Sequence, residues 1–246
     1  MTRVLLMTST IAPAPNVFLL AHKSPVKRLA DYVRALTFYV TLLKRDVVEK
    51  LVYVDNSGYD LTALRAIAQN AGVIERCEFV SFRSEPQPNV SRYFLEINLI
   101  KEAMARSDVL AGHDIDIWKV TGRYIVSNAA AIITRAPASA DFYVNCRNYR
   151  QRTLDFYFVR FNRATLERLL MSELEELRTL TSVEDIIRQR IERRKTGDLR
   201  IIARFNETPR IFGTRGYDGG RYGGAKDSAK YAVRYCLNKV LPQLWI

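Results

Sequence analysis

The segment Lys119-Val120-Thr121-Gly122-Arg123-Tyr124 brings two cations, a hydroxyl and a glycine within five residues. On an extended chain Lys119 and Thr121 point the same way. Gly122 would let the backbone approach a ligand closely, and Arg123 offers a planar fork suited to phosphate oxygens. Together they could neutralise a diphosphate leaving group without a metal. The plainer reading is a surface lysine, a turn glycine and a salt-bridged arginine.

Other polar clusters carry comparable alternatives. Asp55 precedes Asn56-Ser57-Gly58. A carboxylate there could accept from a ribose or a base N–H, or Asp55 and Asn56 could simply cap a turn. Glu184 and Asp185 follow Thr181-Ser182 at the start of a helix. They suit either a general base or ordinary N-terminal capping. Asp155 and Glu96 are lesser candidates for the base. Arg215, Arg221 and Lys226 share a glycine-rich stretch with Tyr217 and Tyr222. That stretch could close over a nucleotide diphosphate, or be a disordered basic segment. Asp114-Ile115-Asp116 has the spacing of a metal-binding pair, but it precedes its strand, which favours a solvated turn over a metal site.

The elements that must hold these residues follow from the apolar pattern. Short apolar runs predict strands at 3–7, 51–54, 78–82 and 115–120, each but the third running into a polar cluster. Those clusters are Thr8-Ser9-Thr10, Asp55-Asn56-Ser57-Gly58 and Thr121-Gly122-Arg123. Helical spacing predicts helices at 25–44, 61–71 and 91–106. Ser24-Pro25 forms the first N-cap and Gly72 the second stop. Strand–helix alternation implies an α/β fold with a mainly parallel sheet and helices on both faces. Ligands in such sheets bind beyond the carboxyl ends of the strands, where the polar clusters fall. Further on, 142–146 and 154–161 predict strands, and 163–178, 183–194 and 228–241 predict helices, the last ended by Pro242. Residues 205–227 read as a mobile loop.

Composition narrows the function classes. The chain has 246 residues, 48% hydrophobic and 26% charged, ordinary globular values. The formal charge is +12. Residues 187–246 hold 14 basic and 5 acidic side chains, whereas 1–186 hold 24 and 21. The body is nearly neutral and one end carries the excess, which fits handling an anion or a membrane surface with that end. Three scattered cysteines form no disulfide framework and no zinc spacing, and two histidines supply few metal sites or triads. No Walker motif occurs and no GxGxxG follows the first strand. Without a secretory signal or a spanning apolar run, the expectation is a cytoplasmic chain with an optional peripheral contact with anionic membrane.

Several segments together resemble bacterial GT-A-like glycosyltransferases of surface-polysaccharide and lipopolysaccharide synthesis. They are Arg28 with Asp31-Tyr32, Val54-Asp55-Asn56-Ser57-Gly58-Tyr59-Asp60-Leu61, and Trp118 through Tyr124 with Asn128. Pro209-Arg210-Ile211-Phe212-Gly213 is the last. The resemblance implies a nucleotide-sugar donor at the strand ends, a glycan or lipid-linked acceptor, and Asp55 against the base or ribose. Thr8, Ser9, Asn56, Arg92, Thr121, Gly122, Arg215 and Arg221 join the donor-side candidates. Where family members end a strand in a metal-binding DxD, this chain has Thr121-Gly122-Arg123. Lys119 and Arg123 therefore become the replacement for the cation's charge, with no cofactor and no metal required. Val183-Glu184-Asp185 looks like the family's acidic helix start that supplies the base. The implied division is a nucleotide-sugar half at 1–135 and an acceptor-side basic part at 136–246. The competing readings are an RNA- or polyanion-binding protein using the basic end, and a nucleotidyltransferase. Nucleic acid is the less favoured partner.

Overall fold

Val4, Leu5, Leu6 and Met7 are all fully buried, so the first strand is covered on both faces, as a central strand of a parallel sheet must be. In the computed structural model, residues 1–14, 20–85, 92–147, 153–171, 183–192, 197–216 and 218–241 are described. The first half runs β1 (Thr2–Ser9), α1 (Pro25–Lys44), β2 (Lys50–Asp55), α2 (Thr62–Asn70) and β3 (Cys77–Ser81). It continues with α3 (Arg92–Arg106), α4 (Asp108–Ala111), β4 (Ile115–Thr121), β5 (Ile125–Val126) and α5 (Ala129–Thr134). The second half holds β6 (Phe142–Arg147), β7 (Thr153–Phe161), a short α6 (Arg163–Thr165) and α7 (Val183–Glu192). It ends with β8 (Ile201–Ile202), β9 (Ile211–Thr214), β10 (Arg221–Tyr222) and α8 (Ala225–Val240).

Seven strands form one mixed sheet in the order β3-β2-β1-β4-β7-β6-β8. The first four are parallel, β7 is antiparallel to both β4 and β6, and β8 runs parallel to β6. The expected α/β architecture is therefore present, with strands from both halves of the chain in one sheet. α1 begins as its sequence predicts, with Ser24 Oγ accepting from Lys27 N and Pro25 in the first turn. Its stripe of Ala35, Leu36, Tyr39, Val40 and Leu43 packs with α2 and α5 on one face. Burying side chains of that size contributes about 1.5–3 kcal/mol each. Ile97, Ile100 and Ala103 of α3 cover Val4, Leu6, Val52 and Val54 on the opposite face, together with α7 residue Ile187.

Three expectations need correction. Residues 205–227 are not a loop throughout. Ile211 and Phe212 pair with Val126 and Ile125, and β9 pairs with β10, giving a small three-stranded sheet. Its glycines serve close contacts: Gly213 has φ +130°, and a Cβ there would lie 2.5 Å from the Arg123 carbonyl oxygen. α8 begins at Ala225 rather than 228, since Asp227 accepts from Gly223 N at 3.2 Å in the first turn. The helix expected at 163–178 is a short α turn followed by a π turn, Leu166–Met171, and 172–178 lie outside the described residues. Pro86 to Pro88, Tyr217 and Pro242 also lie outside them.

Candidate active site

β1, β2 and β4 end side by side. Ser9 is in register with Asp55, and Thr8 with Thr121. The three polar strand ends anticipated from sequence thus share one rim, although Thr8, Ser9 and Thr121 belong to the strands themselves. Because β2 and β4 flank β1 on opposite sides, the rim is a topological switch point.

Asp55 organises the floor of this rim. It is completely buried. One carboxylate oxygen accepts from Ser9 Oγ and Ile11 N, both at 2.8 Å. The other accepts from Ser57 N at 2.8 Å and from Ser57 Oγ. A carboxylate bonded in this way holds the turns after β1 and β2 together, the turn-capping arrangement. Thr10 Oγ1 donates to Asn56 Oδ1 at 2.6 Å, joining the same two turns. Arg28 donates to the Thr10 carbonyl (2.7 Å) and to Tyr32 Oη (3.0 Å), which fixes the loop before α1. Gly122 packs tightly against β1. Its N–H donates to the Thr8 carbonyl at 2.8 Å, and a Cβ at Gly122 would lie 2.7 Å from that oxygen. This close approach is to β1.

Lys119 is 1% exposed. Its ammonium lies 2.6 Å from Glu96 of α3, and donates to Thr121 Oγ1 (3.1 Å) and to the Phe156 carbonyl (2.8 Å). Thr8 Oγ1 donates to the same Glu96 carboxylate at 2.7 Å. Burial works against the Glu96 charge, but Lys119 and the Thr8 hydroxyl outweigh it and hold the carboxyl below its usual value. A group held ionised in this way is a poor proton acceptor, so the lesser role as base does not suit Glu96. Arg123 donates from Nε to the Thr214 carbonyl at 3.1 Å. Burial opposes its charge too, and Tyr124, Tyr32 and Glu96 raise its pKa above the ordinary arginine value.

A cleft of about 320 Å³ opens beside the β4 end of this rim, and Thr8, Ser9, Asp55 and Asn56 are not among its lining residues. Lys119, Thr121, Arg123 and Tyr124 form one wall with Glu96, and Asn145, Arg147 and Asp155 form another. Thr208, Pro209, Ile211, Tyr222, Arg234 and Asn238 close it from the C-terminal part. Four cations thus face two carboxylates. Asp155 is 5% exposed, accepting from Asn145 Nδ2 at 2.8 Å and pairing with Arg147 at 2.6 Å. A register shift between Tyr143 and Asn145 on β6 sets Asn145 directly opposite Asp155. Asn145, Arg147 and Arg234 had no signal in the linear sequence: the first two depend on strand pairing and the third on where a terminal helix lands.

Arg215 and Arg221 are not among the cleft's lining residues. Arg215 pairs with Asp218 at 2.9 Å and lies over the Tyr222 ring. Arg221 is exposed. The side chains of Arg92, Glu184 and Asp185 lie outside those described. Asp114 and Asp116 lie at the start of β4, the end of the strand away from the cleft. Asp114 receives the N-terminal amine (2.7 Å), and Asp116 pairs with buried Arg160. Among the described residues no group of three or more His, Cys, Asp or Glu side chains could hold a metal ion, and no helix is long and apolar enough to cross a membrane.

No protein-family profile and no curated protein matches the chain. Solved structures do. A glycosyltransferase involved in glycosylation of the major capsid of PBCV-1 is 12% identical, with 82% of each chain covered and a TM-score of 0.43. A putative glucose-1-phosphate thymidylyltransferase from Bacillus anthracis is 9% identical, covering 86% of this chain and 89% of that one, with a TM-score of 0.48. An active-site mutant of LgtC is 11% identical over 82% of this chain and 72% of that one, with a TM-score of 0.44.

Proposed function

We propose that the chain is a glycosyltransferase of GT-A-like organisation. It moves a sugar from a nucleotide-activated donor to a hydroxyl of a glycan or lipid-linked acceptor. The observation that carries this is the cleft at the carboxyl ends of β4 and β6, where Lys119, Arg123, Arg147 and Arg234 outnumber Glu96 and Asp155. Breaking the donor's glycosidic bond leaves negative charge on the diphosphate. Fixed positive groups aimed at that charge stabilise the transition state without reorganisation. Cations from the β4 tip and the C-terminal part supply what a divalent ion supplies in other sugar transferases, so the reading is metal-independent. Asp155 lines the cleft beside Glu96 and stays a base candidate, and Glu184 and Asp185 are the helix-start candidates.

The resemblance to surface-polysaccharide and lipopolysaccharide enzymes supplies the acceptor class. A peripheral membrane contact is part of the same reading. On α8, Lys226, Lys230 and Lys239 are exposed beside Val233 and Val240, a pattern suited to anionic lipid at about 1 kcal/mol per cation.

The test is a thermal-shift panel of nucleoside diphosphates and nucleotide sugars with and without EDTA, followed by assay of nucleotide release. Stabilisation by one nucleoside diphosphate that survives EDTA, with turnover of the matching sugar donor, supports the reading. Stabilisation only by RNA replaces it with polyanion binding. Pyrophosphate release from a sugar phosphate and a nucleoside triphosphate replaces it with nucleotidyl transfer.

A further inference from the structure

The geometry points to Arg234 of α8 as the residue that reads the donor's diphosphate, a role with no signal in its local sequence. The inference rests on the glycosyltransferase reading and says which cation in the cleft is available to an incoming anion. Lys119 already sits 2.6 Å from Glu96 and donates to Thr121 and the Phe156 carbonyl. Arg123 is tied to the Thr214 carbonyl. Arg147 pairs with Asp155 at 2.6 Å. Arg234 differs: among the described residues, none hydrogen-bonds or ion-pairs with its guanidinium.

Its surroundings make that lack of a partner costly. Arg234 is half-buried in the cleft wall near Tyr157 and Tyr222. Burial lowers its pKa and the like charge of Arg147 lowers it further, while Asp155 acts the other way. The Asp155 oxygens are occupied by Asn145 and Arg147, so that carboxylate does not complete the site. A guanidinium that is partly desolvated, with no hydrogen-bond acceptor among the described residues, gains most from an anion with several oxygens. A diphosphate placed between Arg234 and Arg123 would meet that need, each guanidinium donating to non-bridging oxygens.

The supporting element fits this role. α8 buries none of its described side chains. Asn238 holds it, accepting from Arg204 and donating to Thr208 Oγ1 at 2.6 Å. A lightly anchored helix can adjust a guanidinium to a ligand with little disturbance of the core.

The experiment is titration of the full chain with the common nucleosides, their 5′-diphosphates and inorganic pyrophosphate. It compares wild type, Arg234→Gln, Arg234→Lys and a charge-matched control, Lys101→Gln, on the exposed side of α3. The expected result is diphosphate binding about tenfold or more weaker in Arg234→Gln, as loss of charge-assisted hydrogen bonds implies. Nucleoside binding, the control variant and the melting temperature without ligand should be unchanged, and Arg234→Lys should recover part of the affinity. If wild type binds a diphosphate and Arg234→Gln binds it equally well, the inference is wrong and the glycosyltransferase reading survives. If wild type binds neither nucleotides nor pyrophosphate, that reading and this inference both fall.

Discussion

The Lys119 ammonium and the Glu96 carboxylate lie 2.6 Å apart beneath the tip of β4, one on the strand and the other on the helix that covers it. Lys119 is 1% exposed and the Glu96 side chain 23%. The pair, with Thr8 and Thr121, locks α3 to the sheet where the cleft opens. Lys119 thus serves the rim first as a structural charge, and the net positive potential of the cleft comes from its arginines.

Removing one partner should cost more than removing both. Lys119→Met leaves Glu96 without its cation and should destabilise the fold by about 3 kcal/mol in urea unfolding. Adding Glu96→Gln should restore part of that loss, because no buried charge is then stranded. An additive double variant would mean that the two side chains do not interact in solution.

The same pair sets an acid dependence. The Glu96 carboxyl is held below its ordinary value of 4.5 in the folded chain. A lowered folded pKa contributes stability that is complete above the unfolded value and is lost as pH falls through the folded one. Stability should therefore decline below about pH 4.5, and Glu96→Gln should flatten that limb. The comparison needs urea midpoints at several pH values between 3 and 7 for both proteins, roughly the span over which carboxylates titrate.

Asp55 tests structure against binding. Its carboxylate accepts from Ser9, Ile11 and Ser57 and is fully buried. Asp55→Ala should lower stability by about 3 kcal/mol or more through stranded donors in two turns. Donor KM in the folded fraction should stay close to wild type. A large rise in KM with unchanged stability would instead make Asp55 a ribose or base contact.

Much of this architecture is legible in the sequence. The alternation of apolar runs with helical stripes, the Ser24-Pro25 start and the Gly72 stop each have a local cause, and so does the meeting of three polar strand ends. The unforeseen parts depend on long-range pairing. Glu96 lies on the middle of a helix, and only the packing of α3 against β1 and β4 brings it to Lys119. Asn145 and Arg147 gain meaning only because β6 pairs with β7 across a register shift. The stretch of glycines around 213–224 has the composition of a loop, yet Ile211 and Phe212 find an edge at β5. Arg123 lines the cleft, whereas Asp55 lies beneath the neighbouring turns, bonded to Ser9, Ile11 and Ser57.

Gly122 sits where β1 and β4 meet most closely. A Cβ there would lie 2.7 Å from the Thr8 carbonyl oxygen and 3.3 Å from the Tyr32 ring. Gly122→Ala must push the β4 tip away from β1, at a cost of about 1–3 kcal/mol for an overpacked site. Since Lys119 and Arg123 flank that point, donor affinity should fall along with stability. Denaturant midpoints and nucleoside-diphosphate titrations on the same preparations would check both. A variant as stable as wild type would mean the rim has room the contacts do not suggest.

The thiols offer a test that needs no ligand. Cys146 is buried on β6, and burial pushes its thiol up to about 12. Cys77, partly covered at the start of β3, is pushed up to about 11 by the same cause. Only the thiolate reacts with a disulfide reagent, so both should be slow at pH 8. Cys236 is exposed on α8 and should react quickly. An aromatic disulfide reagent should therefore titrate one fast thiol in the native chain and all three in denaturant. Because Cys236 lies on the helix that carries Arg234, its rate also reports on that helix. If α8 settles against a bound nucleoside diphosphate, the fast phase should slow when the ligand is added and return to its original rate in Arg234→Gln. A fast phase from Cys146 instead would mean that β6 opens in solution, and the wall of the cleft built by Asn145 and Arg147 would open with it.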